Sequence, residues 1–357
     1  MQLSEFDYDL PEELIAQQPL ERRDASRMLV VNRAQQKLED TRFETLPEYI
    51  RPGDVIVVNN TRVFPARLIG QRDPSGGRVE VLLIREVESD GSSAAPSEGA
   101  RQTWEALVRP AHRLKPGGRL RFGSSNLTAE VLEAAGKGFR LLRFEGDQPI
   151  EALISELGQT PLPPYIKRPL GTSATDDERY QTVFASKKGA IAAPTAGLHF
   201  TPQVTQAVLA RQARVVEVTL HVGYGTFQPV RVDNLEDHRV DAEYYEIREE
   251  AARVINESRS SGGRVIAVGT TTVRALESAA NSSGLVSSEK RDTGLTIIPG
   301  YEFRITDALL TNFHLPRSSL LLLVSAFAGR DLTLAAYRHA VAAHFRFYSY
   351  GDCMLVI

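Results

Sequence analysis

Residues 192–227 read AAPTAGLHFTPQVTQAVLARQARVVEVTLHVGYGTF and contain, in succession, a loop, a helix and a strand. Thr201-Pro202 predicts the helix start, because threonine can accept a hydrogen bond as N-cap and proline is tolerated at the first helical position. The β-branched run 214–222 predicts a strand. His199 lies just before the helix and His221 ends the strand, each beside a glycine-containing loop. Loop positions of this kind are typical of binding and catalytic residues.

Strands and helices alternate through the rest of the C-terminal half. Further strands are predicted at 264–268, 308–312 and 353–357, and further helices at 249–258, 272–280, 319–328 and 332–345. This alternation is typical of a mixed or largely parallel sheet flanked by helices. Ligands on such sheets bind beyond the carboxyl ends of the strands, where three polar loops of this chain lie.

The pattern changes between residues 63 and 146. Short alternating segments separated by glycine-rich turns replace the helices, which predicts an antiparallel barrel or sandwich. We therefore expect two domains: a mixed α/β catalytic domain formed by 1–62 and 147–357, and an inserted β-barrel domain at 63–146. Residues 61–145 contain 14 Lys+Arg and 10 Asp+Glu, although the whole chain has a net charge of −3. This mildly basic insert suits contact with a polyanion.

Composition excludes several protein classes. The chain is 42% hydrophobic and 24% charged, as globular proteins are, and no apolar run reaches the roughly 18–20 residues of a membrane span. The acidic N-terminal segment lacks the basic and apolar regions of a signal peptide. A single cysteine, Cys353, excludes an internal disulfide and a cysteine-cluster zinc site. We expect a cytoplasmic protein without membrane association.

Two further loops carry candidate chemistry. The segment GTTTVRALES at 269–278 places hydroxyls and Arg274 at a helix start, which suits a bound carboxylate or ribose-phosphate. A capped helix with a surface Arg274–Glu277 pair is the alternative. The segment TNFHLPRSS at 311–319 combines His314 and Arg317 with Asn312, and a structural role for His314, donating to a backbone carbonyl, is the alternative there.

Motifs for metal and nucleotide binding are absent from the sequence. There is no H-E-x-x-H pattern, no G-x-G-x-x-G after a strand and no P-loop. We therefore expect no metal, and acid–base chemistry by histidine, aspartate, glutamate or tyrosine, with arginine holding negative charge.

Seven segments together resemble one family, the S-adenosylmethionine:tRNA ribosyltransferase-isomerases of queuosine biosynthesis. They span nearly the whole chain in order: FDYDLPEELIAQQPLERRDASRMLV, PGDVIVVNNTRVFPARL, APTAGLHFT, LHVGYGTFQPV, GTTTVRALES, TNFHLPRSSLLLLVSAFAG and YRHAVAAHFRFYSYGDCMLVI. The chain departs from the family pattern at one place: Asp241 occupies a position where the family usually has histidine.

The resemblance implies a bacterial cytoplasmic enzyme that acts on tRNA carrying 7-aminomethyl-7-deazaguanine at the wobble position. It would transfer and isomerise the ribosyl moiety of S-adenosylmethionine to give epoxyqueuosine-tRNA, adenine and methionine. S-adenosylmethionine is then a consumed cosubstrate, and no cofactor is expected. The implied fold is a large mixed α/β half-barrel with an inserted small antiparallel β-barrel, and we expect a monomer.

Within this reaction the sequence suggests residue roles. His199 and His314 are the candidates for proton transfer, with His221 as the third choice. Thr195, Arg274 and Arg317 would hold the methionine carboxylate or ribose hydroxyls, and Tyr224 and Phe227 would face the sulfonium or stack on a base. On or near the basic barrel, the candidates for tRNA phosphate contact are Arg62, Arg67 and Arg109.

Two other functions fit parts of the sequence. An S-adenosylmethionine-dependent tRNA methyltransferase would use the same cosubstrate, although the glycine-rich loop expected after an early strand is missing. A non-catalytic tRNA-binding protein would use the barrel but leave the polar loops of the α/β part unexplained.

Overall fold

The computed structural model describes residues 1–87, 100–123, 126–136, 138–168, 171–227 and 229–357. Within these ranges the strands are β1 (Arg27–Asn32), β2 (Lys37–Arg42), β3 (Val55–Asn59), β4 (Thr61–Val63), β5 (Arg67–Asp73), β6 (Arg78–Val87), β7 (Ala100–Arg109), β8 (Arg119–Phe122), β9 (Thr128–Ala134), β10 (Phe139–Gly146), β11 (Lys187–Ala190), β12 (Arg214–Leu220), β13 (Glu243–Ile247), β14 (Val265–Val268), β15 (Glu289–Thr293), β16 (Ala308–Asn312) and β17 (Cys353–Val356). The α-helices are α1 (Ile150–Leu157), α2 (Ala174–Arg179), α3 (Pro202–Ala210), α4 (Glu249–Ser260), α5 (Thr270–Ser278), α6 (Ser319–Ala328) and α7 (Arg330–Ala342).

The chain divides into two compact units. The larger comprises Met1–Arg62, Pro163–Lys167 and Glu178–Ile357, and the smaller comprises Val63–Leu162 and Arg168–Asp177. The start of the smaller unit at Val63 coincides with the predicted boundary. Its end lies beyond the predicted residue 146, because α1 packs its buried apolar side chains against β5, β7 and β10 and so belongs to the barrel.

A nine-stranded sheet forms the centre of the larger unit, in the order β15-β13-β12-β3-β14-β16-β17-β1-β2. The predicted mixed α/β class is confirmed. Strands β3, β14, β16 and β17 are buried at every position. This burial explains their continuous apolar sequences, since apolar clusters cover both faces of the sheet there.

Strand direction brings the loops of this unit to one edge of the sheet. Strands β12, β3, β14 and β16 are mutually parallel, so their carboxyl ends lie at the same edge. Strand β17 runs antiparallel to β16, and β1 runs parallel to β17. The segments that precede β17 and β1 therefore reach the edge where β14 and β16 end.

The smaller unit is a closed antiparallel barrel in the order β10-β7-β6-β5-β8-β9. Burial alternates along β6, β8 and β10, as expected when one face of a strand lines a barrel interior. Because this sheet is closed, the smaller unit is the predicted barrel and not the alternative sandwich.

No single helix in the described part of the chain is long and apolar enough to cross a membrane. Helices α6 and α7 satisfy the length and composition criteria only as a pair, and they are bent by 117° relative to each other.

An ion pair joins the starts of β3 and β14. The Asp54 side chain is 1% exposed and lies 2.6 Å from Nη2 of Arg264, whose backbone N–H donates to Asp54 Oδ1 at 2.9 Å. The Arg51 N–H donates to the second carboxylate oxygen at 2.9 Å. Asp54 therefore fixes the amino-end register of two central strands.

We expect Asp54→Ala to lower the free energy of unfolding by about 3 kcal/mol, because it leaves the largely buried Arg264 guanidinium without its counter-ion. Asp331→Ala is the matched control. Its side chain is 87% exposed and paired with Arg330, so its loss should cost less than about 1 kcal/mol. Urea unfolding of both variants checks this, and equal effects would contradict the role given to Asp54.

Candidate active site

A cleft lies at the sheet edge where β14 and β16 end. It opens to solvent and contains about 500 Å³ of empty space. Its lining comes from six parts of the chain, namely Tyr165, residues 193–196, Val222, residues 269–271, the segment that contains Thr311, Asn312, His314 and Leu320, and Tyr348 with Ser349. Three of the loops singled out in the sequence therefore meet in one cleft.

His314 lines this cleft directly and is 5% exposed. Its Nε2 lies 2.9 Å from Thr311 Oγ1, and its backbone N–H donates to the Tyr337 hydroxyl at 3.1 Å. The Tyr8 hydroxyl donates to the His314 carbonyl. Burial lowers the pKa of His314 to about 3, so its imidazole is neutral at neutral pH.

His199 lies next to the cleft, 4% exposed, in a cavity that shares Ser349 with it. Its Nδ1 is 2.9 Å from Ser26 Oγ, while its Nε2 is buried and has no hydrogen-bond partner among the described residues. Burial is the main cause that lowers the pKa of His199 to about 4, and the nearby Asn312 side chain opposes the shift. A neutral imidazole with a free nitrogen can take or give a proton at that atom.

The predicted local structure around His199 is confirmed. A 3₁₀ turn spans Thr195–His199, and Thr201 Oγ1 accepts from the Val204 N–H at 3.2 Å as the N-cap of α3, with Pro202 at its first position. Thr195 lines the cleft, as a substrate-binding residue should.

Two asparagines that the sequence reasoning did not assign help to build the site. Asn312 Nδ2 donates to the Tyr348 carbonyl at 2.9 Å, and its Oδ1 is buried without a partner among the described residues. Asn59, at the end of β3, donates to the Leu220 carbonyl at 2.9 Å and to Thr271 Oγ1 at 3.3 Å. Their only sequence signal is a polar residue that ends a buried strand.

His221 and Tyr224, predicted from the glycine loop that follows β12, lie outside the cleft lining. His221 is half-buried, with Nδ1 2.7 Å from Thr61 Oγ1 and its ring stacked on Tyr244 at 5.5 Å. Burial lowers its pKa. Tyr224 is partly exposed in a 3₁₀ turn, and the Phe227 side chain lies outside the described residues.

The Arg274 guanidinium is paired with groups of the protein that do not line the cleft. Its guanidinium forms a buried ion pair with Glu243 and donates to the carbonyls of Leu295 at 3.1 Å and Thr293 at 3.2 Å. Glu277 does not pair with it but accepts from the backbone N–H groups of 304–306. The alternative of a surface Arg274–Glu277 pair is therefore wrong. The cleft instead receives Gly269–Thr271 at the start of α5.

Arg317 and the three barrel-associated arginines lie away from the cleft lining. Arg317 Nε donates to Asp7 at 2.7 Å, and the Arg317 side chain is 57% exposed. Arg67 pairs with Glu80 at 3.0 Å. Arg62 and Arg109 are exposed, so their availability for a polyanion is greater than that of Arg67.

Asp241, which replaces the usual family histidine, is exposed and packs against Gly225. A Cβ added at Gly225 would lie 2.4 Å from the Asp241 carboxylate. Among the described residues, no group of three or more His, Cys, Asp or Glu side chains is placed to hold a metal ion.

The lowered pKa values of His199 and His314 predict how the free energy of unfolding depends on pH. In both, the folded-state pKa lies below the ordinary 6.5, so protonation favours the unfolded chain. Above about pH 6.5 the two imidazoles therefore do not reduce the free energy of unfolding. Between about pH 6.5 and pH 4, each imidazole should lower that free energy by about 1.4 kcal/mol per pH unit.

Urea unfolding at pH 7 and pH 5 measures this loss. His314→Gln should reduce the pH dependence of the unfolding free energy relative to wild type. His344→Gln removes an exposed imidazole and is the matched control. An unchanged pH dependence in His314→Gln would contradict the assigned burial effect.

Comparisons with known proteins give matches along the whole length of the chain. A family model described as "Queuosine biosynthesis protein" matches residues 3–356. The chain is 48% identical over 356 residues to an S-adenosylmethionine:tRNA ribosyltransferase-isomerase of Natranaerobius thermophilus, covering all of this chain and 99% of that protein. It is 49% identical over 357 residues to the protein of that name from Symbiobacterium thermophilum, with both fully covered.

A solved structure is similar as well. The crystal structure of S-adenosylmethionine tRNA ribosyltransferase from Thermotoga maritima matches with a TM-score of 0.54 and 38% identity, covering 99% of this chain and 100% of that chain.

Proposed function

This chain belongs to the S-adenosylmethionine:tRNA ribosyltransferase-isomerase family of queuosine biosynthesis, an enzyme family, and we propose the reaction it performs. It transfers the ribosyl moiety of S-adenosylmethionine to the aminomethyl group of 7-aminomethyl-7-deazaguanine in tRNA and isomerises it. The products are epoxyqueuosine-tRNA, adenine and methionine. The observation that carries the proposal is the pair of buried neutral imidazoles, one in the cleft and one beside it.

The chemistry requires proton transfers. The sulfonium acidifies the adjacent 5′ C–H, so a positioned base can remove this proton and form an ylide. Elimination opens the ribose and expels adenine, which needs a proton. The tRNA amine then adds to the vinyl sulfonium, and an alkoxide closes the epoxide as methionine leaves. Each proton transfer by a positioned side chain contributes roughly 10²–10⁴-fold.

His314 and His199 are suited to different steps. His314 faces the cleft with its ring held at Nε2 by Thr311, so we assign it the base that removes the 5′ proton. His199 keeps a buried nitrogen free next to Asn312 and is the candidate to exchange a proton with the leaving group. Neutral imidazoles serve here because a positively charged one would be repelled by the sulfonium.

The start of α5 can hold the anionic part of the substrate. The first N–H groups of a helix have no intrahelical partner and favour negative charge, and Gly269–Thr271 bring them to the cleft. We therefore assign the start of α5, together with Thr195, to the methionine carboxylate or ribose hydroxyls. Arg274 and Arg317 no longer have this role.

S-adenosylmethionine is consumed in this scheme, and no separate cofactor takes part. The wobble-position base, a cytoplasmic location and a monomeric state stay predictions from the family resemblance.

Product analysis tests the proposed reaction. Purified protein incubated with S-adenosylmethionine and tRNA bearing 7-aminomethyl-7-deazaguanine should release adenine and methionine in equal amounts, measured by liquid chromatography and mass spectrometry. The tRNA nucleoside should gain the epoxycyclopentane mass. S-adenosylhomocysteine as product would indicate a methyltransferase, and tRNA binding without consumption of S-adenosylmethionine would indicate a binding protein.

A further inference from the structure

Two arginines line the cavity that contains His199, and a third lies near that histidine. Arg23 and Arg179 line it together with His199 and Ser349. Arg346 lies close enough for its positive charge, like that of Arg23, to lower the pKa of His199. All three guanidinium groups are partly buried. None of them has a role in the reaction described above.

Backbone carbonyls are the partners of these guanidinium groups. Arg23 donates to the carbonyls of Gln181 at 2.8 Å and Glu178 at 3.3 Å. Arg179 donates to the carbonyls of Leu20 and Glu21, and Arg346 to that of Gln18. These bonds fix the positions of the three side chains, and none of the carbonyl partners carries a charge.

Positive charge therefore accumulates here. In the described part of the chain, no carboxylate lies within 4.0 Å of the guanidinium nitrogens of Arg23, Arg179 or Arg346, although twenty other arginine or lysine ion contacts meet that limit. The Asp352 carboxylate accepts from the Arg346 backbone N–H at 2.8 Å, and the charges of Asp352 and Glu178 partly offset those of Arg346 and Arg23. Burial lowers the pKa of both guanidinium groups, and the charge of Arg179 lowers that of Arg23 further.

Two donors of this cluster are unused. Arg179 Nε and Arg346 Nη1 are buried and have no hydrogen-bond partner among the described residues. A buried N–H group without a partner costs about 1–3 kcal/mol, and more when it is charged. An oxyanion at this place would satisfy both the donors and the charge.

We propose that Arg23, Arg179 and Arg346 form a binding site for a phosphodiester group of the tRNA substrate, next to the nucleotide whose base enters the cleft. The inference rests on the proposed function. Phosphate contacts of this kind position a nucleic acid without reading its sequence.

The shape of the surface favours a polynucleotide over a lone carboxylate. Arg23 and Arg179 also line a groove open to solvent, together with Arg22 and the acidic residues Glu21, Asp24 and Glu178. The His199 cavity shares Arg23 and Arg179 with this groove and Ser349 with the cleft. A nucleotide strand in the groove can place its phosphate at the arginines while its base reaches the cleft.

The test compares Arg179→Gln and Arg346→Gln with Arg253→Gln, which removes an exposed arginine of α4 that pairs with Glu257. Affinity for a labelled tRNA transcript is measured between about 50 and 200 mM KCl. Each cluster variant should weaken binding about tenfold and lower the slope of log K against log salt by about 0.7. Arg179→Lys should restore the slope, because it keeps the charge.

The KM for S-adenosylmethionine and the thermal midpoint are measured on the same proteins. If both cluster variants keep the wild-type salt slope, the inference is overturned and the cluster has a structural role. If they instead raise the KM for S-adenosylmethionine without changing the salt slope, the inference is overturned and the cluster binds the methionine carboxylate. A wild-type protein that binds no tRNA overturns the proposed function instead.

A second measurement does not depend on the variants folding. Wild-type protein is treated with phenylglyoxal, which modifies guanidinium groups, and the peptides are mapped by mass spectrometry. Bound tRNA should protect Arg23, Arg179 and Arg346, whereas S-adenosylmethionine alone should not. Protection by S-adenosylmethionine alone, or no protection by tRNA, contradicts the proposed site.

Discussion

The direction of the central strands is the constraint on which the site depends. Strands β12, β3, β14 and β16 point their carboxyl ends the same way, while β17 and β1 start where β16 ends. Segments more than 300 residues apart in sequence, such as Ser26 and Ser349, therefore lie around the same buried histidine and its cavity. Any change that reversed or shifted one of these strands would remove one wall of the cleft.

Burial at this edge sets the chemistry of the imidazoles. Desolvation disfavours the charged form, so the pKa values of His199 and His314 fall to about 4 and about 3. Neutral histidines can lie beside a cationic sulfonium substrate without electrostatic repulsion. The positive charges of Arg23 and Arg346 also lower the pKa of His199. The same charges therefore favour a neutral His199 and would attract an anionic substrate.

The sequence predicted the mixed α/β class, the barrel insertion and several central strands, since apolar runs such as VIAV at β14 and the glycine turns of the barrel are local signals. It did not predict β2, β13 and β15, whose charged sequences carry little strand signal because one or both of their faces are exposed. It also assigned Arg274 to the substrate, because a sequence cannot show that Glu243, on a distant strand, already neutralises it. Asn312 was noted beside His314 but given no role, and the cluster of Arg23, Arg179 and Arg346 was missed. Only tertiary packing brings these side chains near His199 and leaves Asn312 Oδ1, Arg179 Nε and Arg346 Nη1 without partners among the described residues.

The central claim is that two buried neutral imidazoles at one sheet edge transfer the protons of the reaction. Turnover of His199→Ala and His314→Ala, followed as adenine release and compared with His344→Ala, tests it most directly. The account predicts losses of roughly 10²–10⁴-fold in each of the first two variants, with near wild-type turnover in the third. Near-full activity in both His199→Ala and His314→Ala, in proteins that keep the wild-type fold, would contradict it.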